Sequence, residues 1–287
     1  NTVKADALIK EAMGIATLPA DKSEAQMIMG SIEIKKGNSF GGRELFRQAA
    51  AVDPKNKEAF SKIGDLARSK QVRLSMHPGQ FCVLASSNDG IVNNSIEEFE
   101  YHADMARWMG YGKSFQDFKI NVPIAGRAGP QGIRSAYTRL STEARNCITI
   151  ENEEMTHDLH TVLEIADLVP IVMDIHHHWV NCGEYIEPTD VRVKKVIDSW
   201  RGVRPTCHYS VSREDILVDH ARDQRPAHDA LIESGHSKQK LRAHSDYYWN
   251  DAVNEWAMSF NDQFDIMCES KAKNLATQKL YDKYINV

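Results

Sequence analysis

The sequence predicts an α/β fold of the TIM type, a β/α barrel that is incomplete or atypical at its N-terminus. From residue 70 onward, short β-branched and apolar segments alternate with longer segments of helical pattern. Such an alternation is typical of parallel strands that are joined by helical crossovers. The strand segments are continuously apolar, as expected for strands that are buried on both faces. No linker or repeat interrupts the chain, so one domain is predicted over residues 1–287.

Six strands are predicted, at residues 72–77, 118–124, 147–152, 170–176, 204–210 and 264–270. Helices are predicted near residues 95–110, 130–145, 157–168, 190–200, 250–260 and 271–284. An eight-stranded barrel would take two more strands from residues 1–70. Residues 31–36 (SIEIKK) have the pattern of one such strand, whereas residues 43–70 have a helical pattern, so the organisation of residues 1–59 stays open.

Composition limits the possible functions. The five cysteines form no C-x-x-C pair, which favours reduced thiols in a cytoplasmic protein over a disulfide framework. No apolar segment approaches the roughly 18 residues that a membrane helix needs. The formal net charge of −5 shows none of the basic excess that is typical of nucleic-acid binders. Any contact with DNA should therefore use a local basic patch, and Arg127, Arg134, Arg139 and Arg145 are the candidates.

Polar residues at the predicted strand ends are the candidates for chemistry. Five of the six strands end in an imidazole or a carboxylate, and these residues are His77, Glu151, Asp174 with His176–His178, His208 and Glu269. The segment AHSDYYW adds His244 and Asp246 in a loop before a helix. Reactive residues of β/α barrels lie at the C-terminal ends of the strands. We therefore expect these side chains to meet in one mouth of the barrel.

This set of side chains predicts a polynuclear metal site. Buried carboxylates and imidazoles that converge without lysine or arginine would repel one another or stay unsatisfied, and a divalent cation removes that difficulty. Mixed carboxylate and imidazole ligands suit Zn²⁺ or Mn²⁺. Each residue alone could instead be a structural hydrogen-bonding group, and Asp246 a helix cap. Strand alternation does not decide which of His176, His177 and His178 faces the site, because the strand ends there.

The same segments, taken in order, resemble the UV damage endonuclease family of the xylose-isomerase-like barrel superfamily. The similar segments are RLSMHPGQF, YHADMA, ITIENEE, VPIVMDIHHH, CHYS, AHSDYY and DIMCESKAK, within residues 60–285. The resemblance implies a metal-dependent endodeoxyribonuclease of DNA repair that cleaves the backbone 5′ of damaged bases. Its partner would be double-stranded DNA with UV lesions, inside the cell.

The resemblance also implies roles for individual residues. The implied metal ligands are His77, Glu151, Asp174, His177, His208, His244 and Glu269, and the catalytic centre is formed by Glu151, Asp174, His208 and Glu269. Gln80 and Phe81 correspond to the pair that the family inserts into the duplex opposite the lesion. The alternative for Phe81 is packing beneath the barrel mouth.

Four features differ from the family pattern. The N-terminal strands that supply a further histidine in the family are not recognisable here, and no histidine precedes His77. Pro123 stands where the family has an imidazole ligand, and Thr206 stands where it has a lysine. A charged stretch, residues 211–243, is longer than the pattern requires. The central set should therefore hold one divalent ion tightly, while the flanking sites fill weakly, to at most three ions in total.

Two other functions remain open at this point. The chain could be a metal-dependent sugar isomerase or epimerase of the same superfamily, which its acidic charge and the replaced ligands favour, whereas the Gln80–Phe81 pair favours DNA. It could also be a non-catalytic damage-binding or scaffold protein, a degenerate relative that kept the fold.

Overall fold

The computed structural model describes residues 14, 16, 18–36, 38–53, 56–217 and 219–286. The chain forms two compact units. Unit 1 comprises Asn1–Met76, Phe99–Lys119 and Ser141–Cys147, and unit 2 comprises His77–Glu98, Ile120–Leu140 and Ile148–Val287. The one-domain interpretation of residues 1–287 stays a prediction.

The helices and strands follow one another as the alternation predicts. The α-helices are α1 Pro19–Lys35, α2 Ser39–Val52, α3 Lys57–Ser69, α4 Asp89–Trp108, α5 Gly129–Tyr137, α6 Thr142–Cys147, α7 Leu159–Val162, α8 Ile175–Cys182, α9 Val191–Ser199, α10 His228–Glu233, α11 Lys238–Leu241, α12 Asp251–Met258 and α13 Asn274–Tyr284. The strands are β1 Ser75–Met76, β2 Lys119–Pro123, β3 Ile148–Glu151, β4 Ile171–Asp174, β5 Thr206–Tyr209 and β6 Asp265–Cys268.

Unit 1 begins with three helices rather than with strands. The predicted strand at residues 31–36 is wrong, because α1 continues to Lys35. This helix buries Met27 and Ile32, so packing outweighs the β-like alternation of the segment. Among the described residues up to position 70 there is no strand, and the two additional barrel strands expected there are not found. Residues 1–13 of that prediction lie outside the described residues.

Asparagine caps and a buried hydroxyl fix these three helices. The side chain of Asn38 accepts a hydrogen bond from Gly41 N at the start of α2, and that of Asn56 accepts one from Ala59 N at the start of α3. Asn56 also donates to Ser23 Oγ, which in turn donates to Ala49 O. The helical pattern predicted over residues 43–70 is confirmed for the parts that form α2, up to Val52, and α3, Lys57–Ser69.

Unit 2 is built on a parallel sheet in chain order. From Ile120 onward, β2 pairs with β3, β3 with β4, β4 with β5, and β5 with β6, all parallel. Every residue of β3, β4 and β5 is buried, as predicted from their continuous apolar pattern. The α/β class and the parallel arrangement are thus confirmed.

The register of this sheet brings the strand ends to one edge. Pro123 lies opposite Glu151, and Asp174 lies opposite His208. Glu269 follows directly after β6 and donates its backbone N–H to Tyr209 O at the end of β5. The polar residues that end these strands are therefore neighbours.

The charged stretch of residues 211–243 folds against the same unit. It contains α10 and α11. Pro226 O accepts a hydrogen bond from the Tyr185 hydroxyl, the Arg225 guanidinium lies 5.4 Å from the Tyr185 ring, and Lys238 Nζ donates to Asn181 O. The described part of the chain has no helix with the length and apolarity that a membrane crossing requires.

Candidate metal centre

The central group of the site consists of Asp174, His208 and Glu269. Each offers one ligand atom, and these atoms lie within 4.8 Å of one another. His208 Nδ1 is 3.0 Å from Glu269 Oε1 and 2.8 Å from Glu151 Oε1. The structure therefore places all four residues of the predicted catalytic set beside one another.

A second group shares Asp174 and adds Glu151 and His177, again with ligand atoms within 4.8 Å. His177 Nδ1 is 3.5 Å from Asp174 Oδ2 and 3.9 Å from Glu151 Oε1. The strand ends at Asp174, two residues earlier than predicted, and α8 starts at once. Asp174 Oδ1 caps this helix by accepting a hydrogen bond from His177 N at 2.7 Å.

The helical turn decides which of the three consecutive histidines faces the cluster. His177 faces it, whereas the ring of His176 stacks on Trp179 and His178 Nε2 lies 3.2 Å from Glu184 Oε2. The structure thus places the middle histidine in the position that the family resemblance implies, because a helix begins directly after Asp174.

His244 and His77 lie at the margin of the cluster. His244 Nδ1 is 3.9 Å from Glu269 Oε2, and its backbone forms an antiparallel bridge with Ser212. His77 is exposed, and its Nδ1 lies 2.7 Å from Pro78 O. The predicted ligands are therefore unequal: Glu151, Asp174, His177, His208 and Glu269 are grouped closely, and the other two are peripheral.

Burial and the neighbouring imidazoles shift the pKa values of the carboxylates in opposite directions. Burial raises the pKa of Glu151, but the positive charges of His208, His177 and His77 outweigh it and lower this pKa to about 2. Burial also raises the pKa of Glu269, and His208 reverses that shift. For Asp174 burial prevails and raises the pKa to about 7.

For the histidines the two effects have the opposite sign: burial lowers the pKa, and the neighbouring carboxylates raise it. Burial lowers the pKa of His177, but the carboxylates of Asp174, Glu151 and Glu154 raise it to about 9. Burial lowers the pKa of His244 despite the nearby Glu269. The pKa of each histidine therefore depends on the balance between its burial and the carboxylates beside it.

A divalent cation fits this donor set. Asp174 is fully buried, and its Oδ2 receives no hydrogen bond from the described residues. An unpaired carboxylate oxygen at such a position is costly unless a cation or proton meets it. Carboxylate and imidazole donors that converge at this spacing are those that Zn²⁺ and Mn²⁺ accept.

Sequence reasoning missed two asparagines that orient the ligands. Asn121 donates to Glu151 Oε2 at 2.5 Å and accepts a hydrogen bond from Thr149 Oγ1. Asn152 is bonded at both ends of its amide to the backbone of Asp174. Asn121 lies two residues before Pro123 on β2, and this alternation is the signal that could have indicated it.

Pro123 and Thr206, which replace two expected ligands, do not themselves provide a side-chain ligand that takes over the same role. Pro123 ends β2 beside Glu151 and has no donor atom for a metal. Thr206 is buried at the start of β5, two residues before His208. The structure therefore leaves the flanking sites without the imidazole and the lysine expected from the family pattern.

Gln80 and Phe81 lie on a turn that is closed by the hydrogen bond from Cys82 N to Gly79 O. The Phe81 side chain is 83% exposed, and Gln80 is exposed as well. The alternative that Phe81 packs beneath the barrel mouth is therefore wrong. The role of the pair in DNA binding stays a prediction.

The predicted basic patch is weaker than its sequence suggests. Arg134 is paired with Asp167 at 2.6 Å. Arg139 donates to the side chain of Asn93. Arg127 is exposed at the loop after β2, and Arg145 belongs to unit 1.

Comparison with known proteins agrees with this geometry. The family model described as UV-endonuclease UvdE matches residues 44–287. The UV DNA damage endonuclease of Bacillus cereus strain B4264 is 28% identical over 234 residues, covering 77% of this chain and 65% of that protein. The corresponding protein of Bacillus mycoides strain KBAB4 is 28% identical over 232 residues, covering 76% and 64%. The chain thus spans slightly less than two thirds of these relatives.

Two solved structures share the fold. SacUVDE is similar with a TM-score of 0.61 and 21% identity, over 96% of this chain and 88% of that one. Endonuclease IV from Thermus thermophilus is similar with a TM-score of 0.54 and 12% identity, over 82% of each chain. The predicted TIM-type class is thereby confirmed. Since the family match covers most of the chain, the protein belongs to the UV-endonuclease UvdE family.

Proposed function

We propose that this protein is a metal-dependent endonuclease that cleaves the DNA backbone on the 5′ side of UV-damaged bases. The observation that carries the proposal is the group of buried Asp174, buried His208 and half-buried Glu269 at the carboxyl edge of the parallel sheet. Membership of the UvdE family supports it. Two of the named relatives are UV DNA damage endonucleases. A DNA-repair role would place the protein inside the cell, with double-stranded DNA as its partner.

The metal would be Mn²⁺ or Zn²⁺. Asp174, His208 and Glu269, with Glu151 beside them, would hold the tightest ion, and His177, His244 and His77 would serve flanking ions. Bound divalent ions supply positive charge that stabilises the charge developing on a phosphate and make nearby water more acidic.

The protein itself keeps the ligands in place before any ion arrives. Asn152 fixes the backbone of Asp174, and the cap on α8 fixes one of its carboxylate oxygens, so that Oδ2 is directed at the cluster. Asn121 holds Glu151 Oε2 and leaves Oε1 beside His208. Ligands that are held in this way lose little conformational freedom on binding.

The loop tip would recognise the lesion. Gln80 supplies an amide, and its neighbour Phe81 supplies an exposed aromatic ring. Such a pair can fill the gap that is left when damaged bases leave the stack. Because the ring is already exposed, no core packing has to be broken before it enters DNA.

Incision of a labelled duplex tests the proposal. With Mn²⁺, the wild-type protein should cut a UV-irradiated duplex 5′ of the lesion and leave the unirradiated duplex intact. Glu269→Gln should reduce incision by at least ~10- to 100-fold, the effect typical for loss of a group at a metal centre. Glu255→Gln, at an exposed position of α12, should leave it unchanged.

Two outcomes of this assay would contradict the proposed nuclease function. Binding of irradiated duplex without incision under any divalent metal would support the non-catalytic relative. Conversion of a sugar without any incision would support the isomerase.

A further inference from the structure

We propose that Glu154, held by Arg242, is a metal ligand of the flanking site that contains His177. The inference rests on the proposed metal centre and adds to it a residue outside the predicted ligand set. It begins with the hydrogen bond that orients the His177 ring.

The hydrogen bond at His177 Nδ1 fixes which ring nitrogen can bind a metal. Nδ1 lies 3.1 Å from Asn152 O, and a carbonyl oxygen only accepts, so Nδ1 must carry the proton. Asn152 cannot easily turn away, because both ends of its side-chain amide are bonded to the backbone of Asp174. Nε2 is then the nitrogen that is left to bind a metal ion.

The carboxylate that faces Nε2 belongs to Glu154. Its Oε2 is 3.7 Å from His177 Nε2, and the side chain is 14% exposed. Zinc binds nitrogen and carboxylate oxygen at about 2.0–2.2 Å. Two ligand atoms that bind one ion are therefore slightly closer together than the 3.7 Å between Glu154 Oε2 and His177 Nε2. A small shift of these side chains would allow both atoms to bind a single cation.

Arg242 orients this carboxylate. Its guanidinium lies 2.6 Å from Glu154 Oε1, the oxygen that does not face His177. A ligating carboxylate commonly has such a partner on its second oxygen, which fixes its direction and raises metal affinity. Arg242 lies in the charged stretch of residues 211–243, directly after α11, so the arrangement gives that stretch a role.

The flanking site then has enough protein ligands. His244 lies two residues beyond Arg242, and its ring centroid is 6.3 Å from that of His177. Glu154 adds a donor beside His177, and His244 would supply the third after a small movement of its ring, where the loss of the lysine at Thr206 would leave two. A stable zinc site normally has three protein ligands or more. Glu154 thus compensates for the replaced residue.

The chain contains a matched control. Glu184 is also held by an arginine, with Arg192 at 2.6 Å from its Oε1, and its Oε2 lies 3.2 Å from His178 Nε2. This second trio of glutamate, arginine and histidine lies outside both carboxylate–histidine groups of the cluster. Glu184→Gln removes the same charge in the same kind of pairing without touching the site.

The test is the number of zinc ions that the protein retains. Protein purified without chelators, incubated with Zn²⁺ and passed through a desalting column should retain about two zinc ions per chain. Glu184→Gln should retain the same number, whereas Glu154→Gln should retain about one and bind the second at least ~10-fold more weakly. Arg242→Met, which keeps the ligand, should also weaken the second ion by ~10-fold. Thermal melting checks that each variant is folded.

Zinc retention identical in Glu154→Gln, Arg242→Met and wild-type protein would overturn the proposal. Because the assay contains no DNA, a failure of the nuclease function would not affect it. The anomalous signal of zinc in crystals gives a second test: a peak within about 2.0–2.2 Å of Glu154 Oε2 and His177 Nε2 is expected. A peak bound to His177 Nδ1 instead would contradict it.

Discussion

Replacing Gln80 and Phe81 by alanine separates a role in DNA binding from a role in packing. Phe81 is 83% exposed, so only about a sixth of its side chain is removed from water. Complete burial of such a side chain is worth about 1.5–3 kcal/mol. The change at Phe81 should therefore reduce the free energy of unfolding by no more than ~0.5 kcal/mol.

The same substitution should weaken binding to damaged DNA. Stacking of a base on an aromatic ring contributes ~1–3 kcal/mol, which corresponds to roughly 5- to 150-fold in the dissociation constant. Fluorescence anisotropy with a UV-irradiated duplex measures this change, and urea unfolding measures stability.

Phe264→Ala is the matched control. Phe264 is fully buried, and its truncation should reduce the free energy of unfolding by about 3–5 kcal/mol. The reasoning would be refuted if the double variant lost ~2 kcal/mol or more of stability while binding irradiated duplex as tightly as the wild type.

Three further predictions concern the site and its surroundings. Asn121→Ala removes a hydrogen bond to the buried Glu151 carboxylate and should lower the free energy of unfolding in urea by ~1.5–3 kcal/mol; an unchanged midpoint would count against it. Arg127→Ala should reduce the slope of log affinity for DNA against log salt by roughly 0.9 per lost phosphate contact, whereas Arg134→Ala, which is already paired, should leave the slope unchanged; equal effects would contradict the assignment. Burial raises the pKa of Asp174 to about 7, so metal binding should release a proton from this carboxyl at pH 6 and strengthen as the pH rises through 7. Calorimetry in two buffers of different ionisation enthalpy measures the released protons, and the same number released at pH 6 and at pH 8 would contradict the prediction.

The ligands at the strand ends could be predicted because a small number of physical rules determines their positions. Parallel strands end at one edge, and the register then makes Asp174 and His208 neighbours whatever the loops do. The apolar strands of unit 2 were visible for the same reason, since burial on both faces leaves a continuous pattern.

Contacts between distant segments could not be predicted. The pairing of Glu154 with Arg242 joins residues that are 88 positions apart, and no local pattern encodes it. The sequence of residues 31–36 alternates like a strand, but packing in unit 1 makes it part of α1. The middle histidine could be chosen only through the family resemblance, because its direction depends on the helix that begins after Asp174.

The metal content of the protein tests the central claim most directly. Protein purified without chelators and incubated with Mn²⁺ or Zn²⁺ is analysed by mass spectrometry of its metals, beside Asp174→Asn and Glu255→Gln. We predict at least one tightly held divalent ion per chain in the wild type and in Glu255→Gln, and one ion fewer in Asp174→Asn, because Asp174 belongs to the central group with His208 and Glu269. Wild-type protein that binds no divalent ion, or an Asp174→Asn variant that binds as many as the wild type, would contradict the account.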